Sequence, residues 1–180
     1  MTGLIVGRFQ PFHRGHLDTV ARIRRSDPGG SLLLAVGSAQ ESFTAENPFT
    51  AGERVEMIQR AMTEARIDGC WPIPVADIHQ HAQWVAYLRG LLPAFDVVYT
   101  NNPLTRLLFE REGMRVESPP LVERDRFQGA VVRQRLLEGK GWAELVPPSV
   151  ARFLEQIGAV ERLGRIADRA AISRPPPRKS

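Results

Sequence analysis

The stretch that most constrains this chain is its start, where Leu4-Ile5-Val6 forms a short apolar run of the kind a buried parallel strand needs. The run stops at Gly7, and Arg8-Phe9-Gln10-Pro11-Phe12 reads as a turn that Pro11 keeps out of regular structure. A helical pattern follows from about His13 to Ser26, with Leu17, Val20, Ala21 and Ile23 as its apolar stripe. The unit places His13 and His16 on the first helical turn, three residues apart and therefore able to reach one group. Free backbone N–H groups and the positive end of the helix dipole favour an anion at that point. Gly15 lets a ligand approach the backbone, and Arg8 at the strand exit brings a planar fork of donors suited to phosphate oxygens. The residues together describe a phosphate cradle. Residues alone also allow a solvated helix start that carries two histidines.

Apolar runs and helical patterns alternate along the rest of the chain. Strands are expected at Ser31–Val36, at the proline-interrupted Trp71–Val75 (short or near an edge), at Phe95–Thr100 and at Met114–Glu117. Thr50 and Glu53 form a capping box for a helix carrying Val55, Ile58, Met62 and Ala65. Further helices are expected at Ala82–Leu92, from Pro103 to Arg111, at Val150–Ile157 and at Val160–Ala170. This order predicts an α/β fold with a doubly wound parallel sheet, Rossmann-like but without the dinucleotide glycine fingerprint, and with C-terminal helices packed on it. Ligands in such sheets bind beyond the carboxyl ends of the strands. Here those ends are Gly7-Arg8, Gly37-Ser38, Ala76-Asp77 and Asn101-Asn102.

The string Gly7-Arg8-Phe9-Gln10-Pro11-Phe12-His13-Arg14-Gly15-His16 resembles the archaeal-type nicotinamide-nucleotide adenylyltransferases of the HxGH nucleotidyltransferase superfamily. The similarity runs from residue 3 to about residue 165. It implies adenylyl transfer from ATP to nicotinamide mononucleotide, giving NAD and pyrophosphate, with Mg²⁺ carried by the phosphates and no protein-bound metal. It implies a phosphate and ATP site at Gly7, Arg8, Phe9, His13, His16, Gln128, Gly129 and Arg133, with His13, His16, Arg8 and Arg133 acting on the reacting phosphates. It places the nicotinamide nucleotide at Gly37, Ser38, Asp77, Ile78, His81, Trp84, Asn102 and Phe127. The sequence departs from the family's pattern at His81, where an asparagine is expected, and at Gln128 and Ala130, where the family carries hydroxyl residues in Ser-Gly-Thr-x-x-Arg.

On residues alone, Trp84 fits core packing as well as a ring-stacking face, and Thr50 with Glu53 reads as a helix cap. His79 and His81 lack the further ligands a zinc site needs. A related transferase such as pantetheine-phosphate adenylyltransferase, and a non-catalytic nucleotide sensor, are the competing readings. The net charge of +4 comes with no lysine-rich or aromatic-interleaved stripe, which argues against nucleic acid. No apolar run is long enough for a membrane span. The single cysteine, Cys70, excludes an internal disulfide framework, fits a reducing cytoplasm and reads as a small buried hydrophobe. One nucleotidyltransferase domain over 1–172 and a disordered basic, proline-rich tail over 173–180 are expected. The resemblance also implies a homo-oligomer.

Overall fold

The computed structural model describes residues 1–119 and 127–172. The expected tail over 173–180 lies outside these residues, as do Arg124, Asp125 and Arg126, just ahead of the expected phosphate-site residues Gln128, Gly129 and Arg133.

Strands β1 (Thr2–Gly7), β2 (Ser31–Val36), β3 (Cys70–Pro74), β4 (Val97–Tyr99) and β5 (Arg115–Glu117) form one parallel sheet in the order β3-β2-β1-β4-β5. Gly7 is in register with Val36, and Leu4 with Val98. The order reverses between β1 and β4, which opens the crevice at their carboxyl ends. Pro72 and Pro74 cost β3 two ladder donors, and β3 lies at the sheet edge as expected. Strand β4 is shorter than expected: Phe95, Asp96 and Thr100 remain outside it.

Helices α1 (Arg14–Ser26), α2 (Ala51–Ala65), α3 (His81–Leu91), α4 (Pro103–Arg111), α5 (Gly129–Glu138), α6 (Pro148–Gln156) and α7 (Ala159–Ile172) cover the two faces. Strand alternation assigns the faces. Leu32, Leu34 and Val36 pack with α1, α2, α5, α6 and α7 through Val20, Met57, Ile58, Leu136, Leu154 and Leu163. Leu4, Leu33, Ala35 and Val98 pack on the other side with α3 and α4 through Val85, Leu88 and Phe109. Burying each such leucine contributes about 2 kcal/mol.

Two expectations need correction. The buried stripe of α2 is Arg54, Met57, Ile58, Ala61 and Met62, whereas Val55 is half-buried and Ala65 exposed. The helix is rolled so that a guanidinium enters the interior. Cys70 is half-buried rather than buried, since β3 has no strand beyond it, and burial raises its thiol pKa to about 11.

Candidate active site

The turn between β1 and α1 places the two histidines differently from a plain helical pair. His13 is the N-cap of α1 and His16 its third residue, so the two form a reciprocal capping box. The His16 N–H donates to His13 Nδ1 and the His13 N–H to His16 Nδ1, each at 3.3 Å. With Nδ1 accepting in both rings, the proton of each neutral imidazole belongs on Nε2. The rings stack with centroids 3.5 Å apart and planes 17° apart. Phe9 and Phe12 close over His16, with centroids at 4.9 and 5.4 Å.

This packing decides the charge of the pair. Burial lowers the His13 pKa to about 4, and burial followed by the field of His13 holds His16 well below its ordinary value. Near neutral pH both rings are uncharged donors. The cradle's positive charge therefore resides in guanidinium groups and helix ends.

Three guanidiniums converge there. Arg8 pairs with Glu46 at 3.3 Å with both side chains well exposed, a contact of about 0–1 kcal/mol that leaves Arg8 available to a competing anion. Arg133, one turn into α5, donates through Nη1 to Gln10 O at 2.8 Å. Burial, then the charge of Arg8, lowers its pKa. Gly129 opens α5 so close to the turn that an added Cβ would stand 3.2 Å from Gln10 O and 3.1 Å from Arg133 Nη1. Gly15 is similarly confined, with an added Cβ 2.9 Å from Phe127 Cβ. Gln128 is the N-cap of α5 and makes no side-chain cap bond.

Arg54, fully buried, is not among the expected site residues but underlies the candidate site. It donates to Arg8 O at 2.9 Å, Gly37 O at 2.6 Å, Ser38 O at 3.1 Å and Thr50 O at 3.2 Å. Burial, with a smaller contribution from Arg8, lowers its pKa to about 10. One side chain thus pins the exits of β1 and β2 to the start of α2, and its charge lies beneath the turn between β1 and α1. A signal existed, because positions 54, 57, 58 and 61 share a helix face otherwise apolar. Gln10 does comparable work. Its amide donates to Phe49 O at 2.9 Å and accepts from Phe49 N–H at 3.0 Å. Phe9 and Ser38 hold left-handed backbone, at φ 50° and 49°, and the Gln10–Pro11 bond is cis.

The residues expected for the nicotinamide nucleotide fall into four groups. Gly37 and Ser38 adjoin the cradle through Arg54, and the Gly37 N–H donates to Gly7 O at 2.9 Å. Asp77 is tied to the same loop, since its backbone exchanges two 3.0 Å hydrogen bonds with the Gln40 side chain. Ile78 follows, half-buried. Trp84 on α3 is half-buried and meets Phe109 edge-on at 5.5 Å, while His81 is exposed at the first position of that helix. Asn102 caps α4, and its side-chain oxygen accepts from Thr105 N–H at 3.0 Å. Phe127 lies against Gly15 and packs with the α1 side of the core.

Thr50 and Glu53 form the expected reciprocal cap. His79 Nδ1 lies 3.7 Å from Asp77 Oδ1 and is exposed. Among the described residues no group of three or more His, Cys, Asp or Glu side chains is arranged to hold a metal ion, and no helix is long and apolar enough to cross a membrane.

Residues 4–135 match the family described as cytidylyltransferase-like, a span containing both histidines and Arg133. The nicotinamide-nucleotide adenylyltransferase of Haloarcula marismortui is 41% identical over 97% of this chain and 91% of its own. That of Methanoculleus marisnigri is 46% identical over 92% of this chain and 96% of its own. That of Archaeoglobus fulgidus is 42% identical over 94% and 99%. A crystal structure of a bifunctional NMN adenylyltransferase/ADP ribose pyrophosphatase from Francisella tularensis superposes with a TM-score of 0.77 over 95% of this chain and 54% of that one, at 18% identity, a likeness of fold. The strand order, the turn with its paired histidines and the relatives converge: the chain belongs to the cytidylyltransferase-like family, and within it to the nicotinamide-nucleotide adenylyltransferases.

Proposed function

We propose that the protein transfers the adenylyl group of ATP to nicotinamide mononucleotide, forming NAD and pyrophosphate. The observation that carries this reading is the mutually capped His13–His16 pair at the N-terminus of α1, with Arg8 and Arg133 converging on the same turn.

A phosphate monoester is already a nucleophile at neutral pH, so no covalent enzyme intermediate is required. An oxygen of the mononucleotide's 5′-phosphate attacks the α-phosphorus of ATP, and the α–β bridging oxygen departs with pyrophosphate. The protein's contribution is positioning and stabilisation of charge on the transferring group and the leaving group. In this reading His16, with Arg8, donates to phosphate oxygens at the reacting centre. His13 fixes the orientation of His16 and lends its own Nε2 proton to the cradle. Arg133 takes the β- and γ-phosphates, aided by the N–H groups at Gln128 and Gly129. The donors here are N–H groups and cations, so Mg²⁺ enters on the oxygens of ATP as part of the substrate. Gly37, Ser38, Asp77 and Ile78 line the nicotinamide nucleotide's side, with the indole of Trp84 and the neighbouring His81, Asn102 and Phe127 bounding it. We further propose a cytoplasmic homo-oligomer.

Gln128 and Ala130 offer no hydroxyls at the start of α5, and this favours one second reading, a nucleotide sensor without turnover. NAD formation from ATP, nicotinamide mononucleotide and Mg²⁺, read through a coupled dehydrogenase, distinguishes the two. Turnover supports the transferase. NAD binding without turnover supports the sensor.

A further inference from the structure

Arg162 lies on α7, far along the chain from the phosphate turn, yet its guanidinium is engaged at the loop that touches that turn. Nη2 donates to Glu53 Oε1 and Nη1 to Glu53 Oε2, both at 2.8 Å, and Nη1 lies 3.4 Å from Pro48 O. Each side chain of the pair is only 19% exposed. The guanidinium also faces the rings of Phe43 and Phe49, at 5.1 and 6.0 Å. Glu53 Oε2 in turn accepts the Thr50 N–H at 2.9 Å. Burial pushes the Glu53 carboxyl up, but its bonds from Arg162 and Thr50 outweigh that and hold it below the ordinary range.

From this pair the contacts continue into the site. Phe49 exchanges two backbone hydrogen bonds with the Gln10 side chain, and Gln10 O accepts from Arg133 Nη1. Segment 47–50 is thus gripped from one side by Arg162 and from the other by Gln10. Apolar contacts of Ala159 and Leu163 already dock α7, and a half-buried ion pair adds little net stability. Its bidentate geometry does fix where the loop stands.

We infer that Arg162 is a positioning residue that holds segment 47–50 against Gln10 and so sets the place of the Arg133 guanidinium for the ATP phosphates. The inference rests on the adenylyl-transfer reading for the role of Arg133. It predicts an asymmetry that a merely structural contact would not produce: through Phe49 and Gln10 the contacts reach Arg133, whereas the branch from Thr50 O reaches Gly37 and Ser38 only through Arg54, which Arg8 O also holds.

The test is R162Q in the full chain, with KM measured for each substrate at saturating concentrations of the other. Calorimetry measures the affinity of a non-hydrolysable ATP analogue separately. The expected result is a rise of about tenfold in the KM for ATP and in the analogue's Kd, with the KM for nicotinamide mononucleotide changed less than about twofold. In E53Q the same shift appears, and the double variant is no worse than either single one, as expected of a shared link. Unchanged ATP affinity with only a lower Tm overturns the inference, as does an equal rise in both KM values or additive losses in the double variant. Should R162Q fail to fold, R162K keeps the charge but loses the fork. A drop of about threefold in ATP-analogue affinity then supports the inference, and wild-type affinity overturns it. A wild-type protein that binds the analogue but forms no NAD refutes the proposed reaction alone, and the calorimetric comparison still decides the role of Arg162. A wild-type protein that does not bind the analogue overturns both.

Discussion

Replacing His13 with asparagine makes the folded protein less sensitive to acid. His13 is 5% exposed, and burial lowers its pKa from 6.5 to about 4. Between those values the unfolded chain binds a proton that the folded chain refuses. Stability is therefore full above about pH 6.5, declines as pH falls and reaches its lower plateau below about pH 4. A depression of about 2.5 units at about 1.4 kcal/mol per unit gives a total loss of roughly 3 kcal/mol, most of which has accrued by pH 4.5. Asparagine is a favoured N-cap and keeps an oxygen for the His16 N–H, so H13N removes the titration while preserving the cap. Urea unfolding at pH 7.5 and pH 4.5 measures the difference. Glu53, Glu64 and His16, all held below their ordinary pKa, also lose stability as pH falls, but the two carboxyls do so in both proteins, and burial, the larger cause at His16, remains in H13N. Wild type is expected to lose roughly 2–3 kcal/mol more than H13N between the two pH values. Equal losses would refute the account of a buried, neutral imidazole.

H16A is expected to lower kcat by about 10²-fold or more, as removal of a transition-state donor does, and to cost about 1 kcal/mol of stability through the lost cap. Wild-type turnover in a folded H16A protein would sink the assignment. W84A should raise the KM for nicotinamide mononucleotide more than that for ATP, and the reverse order in steady-state kinetics would reject the indole's place beside the nicotinamide. In G129A the new methyl crowds Arg133 Nη1 and Gln10 O, so the KM for ATP should rise about threefold or more with the fold intact. A kinetic profile equal to wild type would show that the close approach of α5 to the turn is without consequence.

The local elements were legible because their causes are local. The run Leu4–Val6, the stop at Gly7, the Thr50–Glu53 cap and the Asn102-Pro103 start of α4 each depend on a few neighbouring residues, and each was placed within a residue or two. The proximity of the candidate cradle's residues was legible for the same reason, since most of them lie within one strand-turn-helix unit. The rolled face of α2 was not, because an arginine on an apolar stripe reads as an exception until the four carbonyls it serves are brought together.

The sequence by itself determined the order of strands and helices, the parallel sheet that the order entails, and the chemical character of the turn at residues 7–16. Spacing, turn residues and alternation encode those features directly. Tertiary structure alone decided the rest. It buried His13, packed the half-buried His16 among aromatic rings and so kept both neutral, it set Arg133 on the carbonyl of a residue 123 positions away, and it ran Arg54 and Arg162 into the supports of the site. The physical reason is that charge state and long-range hydrogen bonds depend on desolvation and on partners distant in the chain, neither of which a local pattern contains.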